Sequence, residues 1–444
     1  MQVVGPGYRF ANAPGGPDDT IVEYDVATRR LVIRTDLFGV NSVCMLVRDG
    51  RLWVADSLAR LHDLPETPKG MLPLGACVAL CVAPAQRPSV FACGLSVIGG
   101  SVIECTPERI RTTPHWGGKP PATHRIQDVE AEAEEVKELL IGAVEARAKD
   151  AMFWVQGVGG WMLASLPSRA DLARRKLVAL NGEDNDVVAD LWRVTPARFE
   201  VAEEDVPLAF EQAVKACELL LADDTAPRNL LFFRALKSAG HSTLIAPLGM
   251  SIVGGTRHDL ELTPSGLPGF VARKTDEAVL ARRLLKPDWA TRLQPSHWDP
   301  NMSADDARWL QVRTDLLHVD VPCQARTAAA AGIDLRPPYL DPTVAANLLG
   351  VSASHCLDDG VRPPAARPIP PGGVSPRARA NWIALYDKWL SGEKLETLEI
   401  VDVGAVREML IAYAKLHSYA PPRVAMDRVL KKLTSLSILR ERLG

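Results

Sequence analysis

The sequence, 444 residues long, predicts a mixed α/β protein. A β-rich layered domain is expected over residues 1–120, followed by an α/β domain with a parallel sheet over 121–444, helical in its last part, 381–444. Three observations predict it. Strand-length runs separated by turn signals recur about every ten residues from Thr20 to Ile110. Past a segment rich in Pro and Gly the apolar period becomes that of a helix. A short apolar run, Met152–Val155, is then followed by Gly157, Gly159 and Gly160, the strand–turn–helix order of a parallel sheet.

In chain order, IVEYDV, RLVIRTD, SVCMLVR, RLWVAD, SVFACGL and SVIECT read as strands, with Arg48-Asp49-Gly50 as a turn between two of them. Arg111–Ala122 (RTTPHWGGKPPA) reads as a linker. Asp128–Asp150 places Val136, Leu139, Leu140, Ala143 and Val144 on one helix face, with acids at its start and Arg and Lys at its end. Helices are predicted at Val206–Asp223 and Pro227–Gly240, and a strand at Ser242–Ala246. The proline-rich segment Val361–Arg379, within a loop predicted over 360–380, breaks the pattern before helices at Ala380–Leu390, Gly404–Lys415 and Pro422–Leu443.

Composition narrows the function classes. A hydrophobic share of 47% and a charged share of 24% are the balance of a soluble globular protein rather than a disordered one. A net charge of -3 supplies no global basic field for nucleic acid, so nucleic-acid partners are not expected. Met1–Phe10 lacks a secretory pattern, and the longest apolar run, Gly75–Ala83, is far shorter than the ~20 residues that cross a bilayer. A cytoplasmic protein without a membrane span is expected. The eight cysteines are scattered, with no CxxC pair or Cys/His cluster of zinc-like spacing, which predicts reduced structural thiols and no metal.

Several motifs together resemble one family. Val22–Leu61 is similar to the glutaminase half of asparagine synthetases, with Asp36, Phe38, Gly39, Leu52, Ala55 and Leu61 in register with the strand ending in R-D-x-F-G and the strand and helix after it. Arg125–Leu166 resembles the helix, strand and pyrophosphate loop that open the family's ATP domain, and Glu218–His258 the segment carrying its second acidic motif. Ala325–Asp341 (ARTAAAAGIDLRPPYLD) resembles D-R-x-x-M-A-x-S-x-E-x-R-x-P-F-L-D, with Arg326, Asp334, Arg336, Pro338, Leu340 and Asp341 aligned. Lys394–Arg407 and the helix after it look most like the lasso-peptide cyclase branch. The resemblance implies an Ntn-hydrolase-like domain joined to an adenine-nucleotide α-hydrolase-like ATP-pyrophosphatase domain, near the lasso-peptide cyclases and β-lactam synthetases.

The residues that perform that family's chemistry are missing. Gln2 stands where the resemblance implies the glutaminase cysteine, and an amide cannot form a thioester. Against S-G-G-x-D-S, the stretch Val155–Ser165 (VQGVGGWMLAS) puts Met162 at the Mg²⁺-binding Asp in its better register. Against G-E-G-x-D-E-x-x-G-G, Ala246–Gly255 (APLGMSIVGG) keeps Gly254-Gly255 but has Pro247, Met250 and Ser251 at its three acids. A thioether does not bind Mg²⁺. Gly157, Gly159, Gly160, Gly254, Gly255 and Arg326 are expected to line a remnant nucleotide cleft, which Trp161 could plug. Asp334 and Arg336 are the candidates for catalysis, as orienter of an amine and binder of phosphate or carboxylate, or else a structural ion pair. The expectation is a pseudoenzyme that binds a peptide or a biosynthetic partner protein and needs no cofactor. The alternatives are a divergent, glutamine-independent ATP- and Mg²⁺-dependent amide ligase, and a small-molecule binder reusing the cleft.

Overall fold

A computed structural model of the protein describes residues 20–48, 51–81, 90–97, 99–106, 108–114, 123, 127–166, 175–180, 189, 193–253, 267–293, 299, 301–352, 375–416 and 421–443. The first part contains β1 (Ile21–Asp25), β2 (Arg30–Arg34), β3 (Val43–Arg48), β4 (Arg51–Ala55), α1 (Leu58–His62), α2 (Pro73–Cys81), β5 (Leu95–Val97), β6 (Ser101–Cys105) and β7 (Ile110–Pro114). Two antiparallel sheets result, one ordered β1-β2-β6-β7 and the other β4-β3-β5.

Alternation in β2 shows why these residues pair as strands. Leu31 and Ile33 are buried opposite Cys105 and Ile103 of β6, while Arg30 and Arg34 are exposed and Arg30 bonds Glu104 at 2.7 Å on the outer face. The inner face meets Val43 and Met45 of β3, closing a two-sheet sandwich. The alternate β3 residues, Cys44 and Leu46, face a helical layer instead. This strand, buried on both faces over Val43–Leu46, therefore reads as a continuous apolar run.

The second part begins with α3 (Val129–Glu145), β8 (Met152–Trp154), α4 (Gly157–Ser165), β9 (Leu177–Leu180), β10 (Ala197–Phe199), α5 (Asp205–Cys217), α6 (Thr225–Ser238), β11 (Thr243–Ile245), α7 (Met250–Val253), α8 (Leu267–Arg283) and α9 (Pro287–Ala290). A single rod follows, made of α10 (Ala304–Gln311), a π-helical stretch (Val312–Asp320) and α11 (Val321–Ala330). Then come β12 (Asp334–Arg336), a 3₁₀ turn (Pro338–Leu340), α12 (Pro342–Gly350), α13 (Pro376–Trp389), α14 (Gly392–Glu396), α15 (Val403–Lys415) and α16 (Pro421–Leu443). Five strands form a parallel sheet ordered β10-β9-β8-β11-β12. Asp128 caps α3, accepting from the amides of Glu130 and Ala131 at 3.0 and 3.1 Å.

The expected class thus holds at the level of layers: antiparallel sheets first, a parallel sheet later, helices last. One apolar cluster also crosses residue 120. It joins Cys44, Leu46, Leu58, Ala76 and Phe91 to Phe210, Leu285, Trp382 and Leu430.

Three local expectations are corrected. SVFACGL is not a sheet strand, because its bonds go to the preceding turn: Leu72 N donates to Val90 O at 2.7 Å and Ala92 N to Gly70 O at 2.9 Å. Only Met71 and Phe91 form a bridge there, and β5 starts at Leu95. The expected linker Arg111–Ala122 begins inside the sheet, since Ile110–Pro114 pairs with Ser101–Cys105 as an outermost strand, where a terminal proline is tolerated. Helix α13 starts at Pro376, capped by the Ser375 hydroxyl accepting from Ala378 N, so the proline-rich segment ends earlier than expected. The remainder of that segment, 361–374, lies outside the described residues. Among the described residues no helix is long and apolar enough to cross a membrane.

Candidate functional site

The carboxyl ends of β8, β11 and β12 lie side by side, the edge at which parallel sheets place their ligands. Gly157, Gly159 and Gly160 follow β8 directly, but they form the first turn of α4 rather than a loop before it. A Cβ on Gly160 would sit 2.4 Å from the Trp154 carbonyl oxygen, so this glycine lets helix and strand touch. A Cβ on Gly159 would lie 2.7 Å from Met250 Cγ and 3.5 Å from Pro247 Cβ. The Tyr339 hydroxyl donates to the Gly159 carbonyl at 3.0 Å. Met250 and Pro247 thus pack against the face of α4 that carries Gly159. Met162 is 39% exposed on the same helix. Trp161 is buried, in one apolar cluster with Leu140, Phe153, Tyr339 and Val344.

Asp334 and Arg336 begin and end β12. Arg336 Nε donates to Asp334 Oδ2 at 2.8 Å, with Nη2 at 2.7 Å from the same oxygen, and Nη1 donates to the Arg147 carbonyl at 2.7 Å. Just past the end of α3, Arg147 bonds Asp341 at 3.1 Å, and Asp341 caps α12 through Thr343 N at 3.0 Å. The group ties two helix ends to the sheet edge. The second Asp334 oxygen, Oδ1, is buried without a hydrogen-bond partner.

Arg326 is not brought to this group. Its guanidinium donates to Ser42 Oγ at 2.6 Å, to Ser96 Oγ at 2.9 Å and to the Cys217 carbonyl, and lies 3.9 Å from Glu218. Glu218, buried and left-handed in backbone (φ +52°), accepts from Leu58 N and Ala59 N of α1, both at 2.7 Å. These contacts join the sandwich to the helices of the second part and wall a cavity of about 70 Å³ that Phe91 and His318 also line. The Asp36-Phe38-Gly39 motif belongs to the same junction. Asp36 accepts from Val40 N at 2.8 Å and Asn41 N at 2.9 Å, and burial pushes its carboxyl up from the usual range. Phe38 enters the core of the parallel-sheet half beside Met152, Trp154 and Phe232. Gly39 (φ +73°) and Gly99 touch there, since a Cβ on Gly99 would be 2.2 Å from Gly39 N.

No family model matches this chain, and no curated protein does.

The structure therefore gathers Gly157, Gly159, Gly160 and Met250 at one sheet edge, Asp334 and Arg336 at the two ends of β12, and Arg326 at the junction. Gly254, Gly255 and Gln2 lie outside the described residues. Among the described residues no group of three or more His, Cys, Asp or Glu is arranged to hold a metal. The buried thiols are poor nucleophiles, with burial pushing Cys44 and Cys81 up to about 12 and Cys77 and Cys93 to about 11. Sequence reasoning missed Glu218, Ser42 and Ser96. The available signal was Glu218 itself, a carboxylate directly before the apolar triplet Leu219–Leu221.

Proposed function

We propose that this chain is a catalytically emptied scaffold of the asparagine-synthetase type, nearest the lasso-peptide cyclases and β-lactam synthetases. It binds a peptide or a partner enzyme of a natural-product or peptide-modification pathway in the cytoplasm. In this reading the sandwich answers to an Ntn-hydrolase-like glutaminase half, and the parallel sheet to an adenine-nucleotide α-hydrolase-like half. The observation that carries it is the Met250 side chain lying against Gly159 in the first turn of α4. Two thioethers, Met162 and Met250, stand where the resemblance asks for Mg²⁺-binding carboxylates, and a thioether is a soft, space-filling group. An unpaired carboxylate left there without its cation would cost free energy, so apolar replacements suit a site freed from metal.

One observation favours a second reading, a divergent ATP-dependent amide ligase: Asp334 Oδ1 is buried with an unmet acceptor capacity that a substrate amine would satisfy. Titration calorimetry separates the two. The scaffold reading expects no heat from ATP or a non-hydrolysable analogue with Mg²⁺, and binding of a peptide encoded beside the protein. Micromolar Mg²⁺-dependent nucleotide binding would overturn it in favour of the ligase.

A further inference from the structure

The cavity of about 70 Å³ at the junction is walled by two kinds of surface. Arg326, Glu218, Ser42, Ser96 and the His318 ring supply polar atoms, while Phe91, Leu95 and Leu219 supply hydrocarbon. Leu95 and Ser96 of β5 are exposed, so the cavity opens to solvent beside that strand. Its volume is room for about five water molecules, or for one organic molecule of similar bulk.

The polar groups have hydrogen-bonding capacity to spare. A guanidinium carries five N–H donors. Arg326 gives Nε–H to Ser42 Oγ, one Nη1–H to the Cys217 carbonyl and one Nη2–H to Ser96 Oγ. Among the described residues no acceptor takes the remaining two, and the side chain is only 9% exposed. Glu218, its side chain 3% exposed, spends one lone pair of each carboxylate oxygen on the Leu58 and Ala59 amides and keeps the others. Its Oε2 lies 3.9 Å from Arg326 Nη1, too far for a direct hydrogen bond and near enough for one intervening oxygen to reach both.

Charge and shape decide what that oxygen belongs to. The ion pair is neutral as a whole, so an added anion or cation would stay uncompensated in a desolvated space. A hydroxyl escapes that cost: its two lone pairs accept from Arg326 and its O–H donates to Glu218. Water does the same at this one position. Waters filling the rest would face Phe91, Leu95 and Leu219, which offer them no hydrogen bond, whereas a short alkyl chain gains by covering those side chains. We propose that the junction cavity is a binding site for a small neutral alcohol, a hydroxyl head bridging Arg326 and Glu218 and a tail of about four carbons against the apolar wall. Ser42, Phe91 and Leu95 come from the first part of the chain and Glu218, Leu219 and Arg326 from the second, so the bound alcohol also fastens the sandwich to the helices.

The test is a titration of the full chain, carrying ¹³C-labelled Leu and Val methyls, with 1-butanol as the probe. Butyrate and n-butylammonium serve as charged controls of equal length, at about pH 8, where an ordinary histidine is uncharged. The Leu95 and Leu219 methyl signals should shift saturably with 1-butanol, at a dissociation constant of ~1–10 mM for so small a ligand. Each charged control should bind at least about tenfold more weakly. Ala79→Leu fills the cavity from α2 and should abolish the saturable shift of Leu219. If that variant does not fold, Leu95→Trp at the exposed mouth should do the same. Shifts that stay linear up to about 50 mM 1-butanol would mean that the cavity holds water only and would overturn the proposal. Butyrate binding as tightly as the alcohol would overturn it too, as would undiminished binding in either folded variant.

Discussion

The junction of the sandwich with the later helices and the sheet edge differ in what they do with charge. At the junction a carboxylate and a guanidinium are buried, and both are supplied with partners: Glu218 with two backbone amides, Arg326 with two serine hydroxyls and a carbonyl. At the edge beside Gly159 the neighbours are Met250, Pro247 and a tyrosine hydroxyl. The contrast teaches that this chain keeps buried charge where it fastens parts together and packs apolar side chains against the turn that opens α4. Arg326 and Arg336, ten positions apart in one motif, fall on opposite sides of that division.

The largest effect should come from breaking the junction. Replacing Glu218 by Ala leaves the Leu58 and Ala59 amides without their acceptor and removes the carboxylate 3.9 Å from Arg326, an expected loss of about 3–5 kcal/mol in urea unfolding. Glu218→Gln, which keeps one carbonyl acceptor, should lose less. A change below about 1 kcal/mol for Glu218→Ala would mean that the junction is held by apolar contact alone. At the edge, Gly159→Ala forces its Cβ into Met250 and should cost about 1–3 kcal/mol. Pairing it with Met250→Ala should return part of that loss. Additive effects in this double-mutant cycle would show that the methionine does not press on the turn. The smallest effect is expected for Asp334→Asn, because its ion pair with Arg336 is partly solvated, the side chains being 27% and 22% exposed. A melting shift equivalent to about 0–1 kcal/mol is anticipated. A loss of several kcal/mol would move this pair from the periphery to the structural centre of the site.

Local structure was legible wherever one residue's neighbours in sequence decide its fate. The alternation in Arg30–Arg34 and the acids opening α3 are of this kind. The run Gly75–Ala83 was not, because its Ala, Val, Leu and Cys residues carry no period. It lies largely in α2, which is buried against the later helices over much of its surface. The candidate site was legible only as residue types. Met162 and Met250 could be singled out by residue type, yet the contact of Met250 with Gly159 spans 91 positions of chain and cannot be read from either segment. Arg326 shows the same limit more sharply: its hydroxyl partners are 284 and 230 residues away. A motif pattern places such a side chain in a cleft or at a junction with equal ease, and only the packing of distant elements decides.

The apolar cluster shared by the two parts has a consequence for how the chain comes to be folded. Helices α1 and α2 lie early in the sequence, and both pack on α16, more than 300 positions later. During synthesis the helical face of the sandwich emerges long before the surface that covers it. Leu58, Ala76 and Leu80 then face water, or a chaperone, until translation has passed Leu439. Contacts of such sequence separation close slowly. Maturation of the sandwich is thereby tied to the last helix, and shortening the chain before Pro421 should release a sticky intermediate instead of an independent domain.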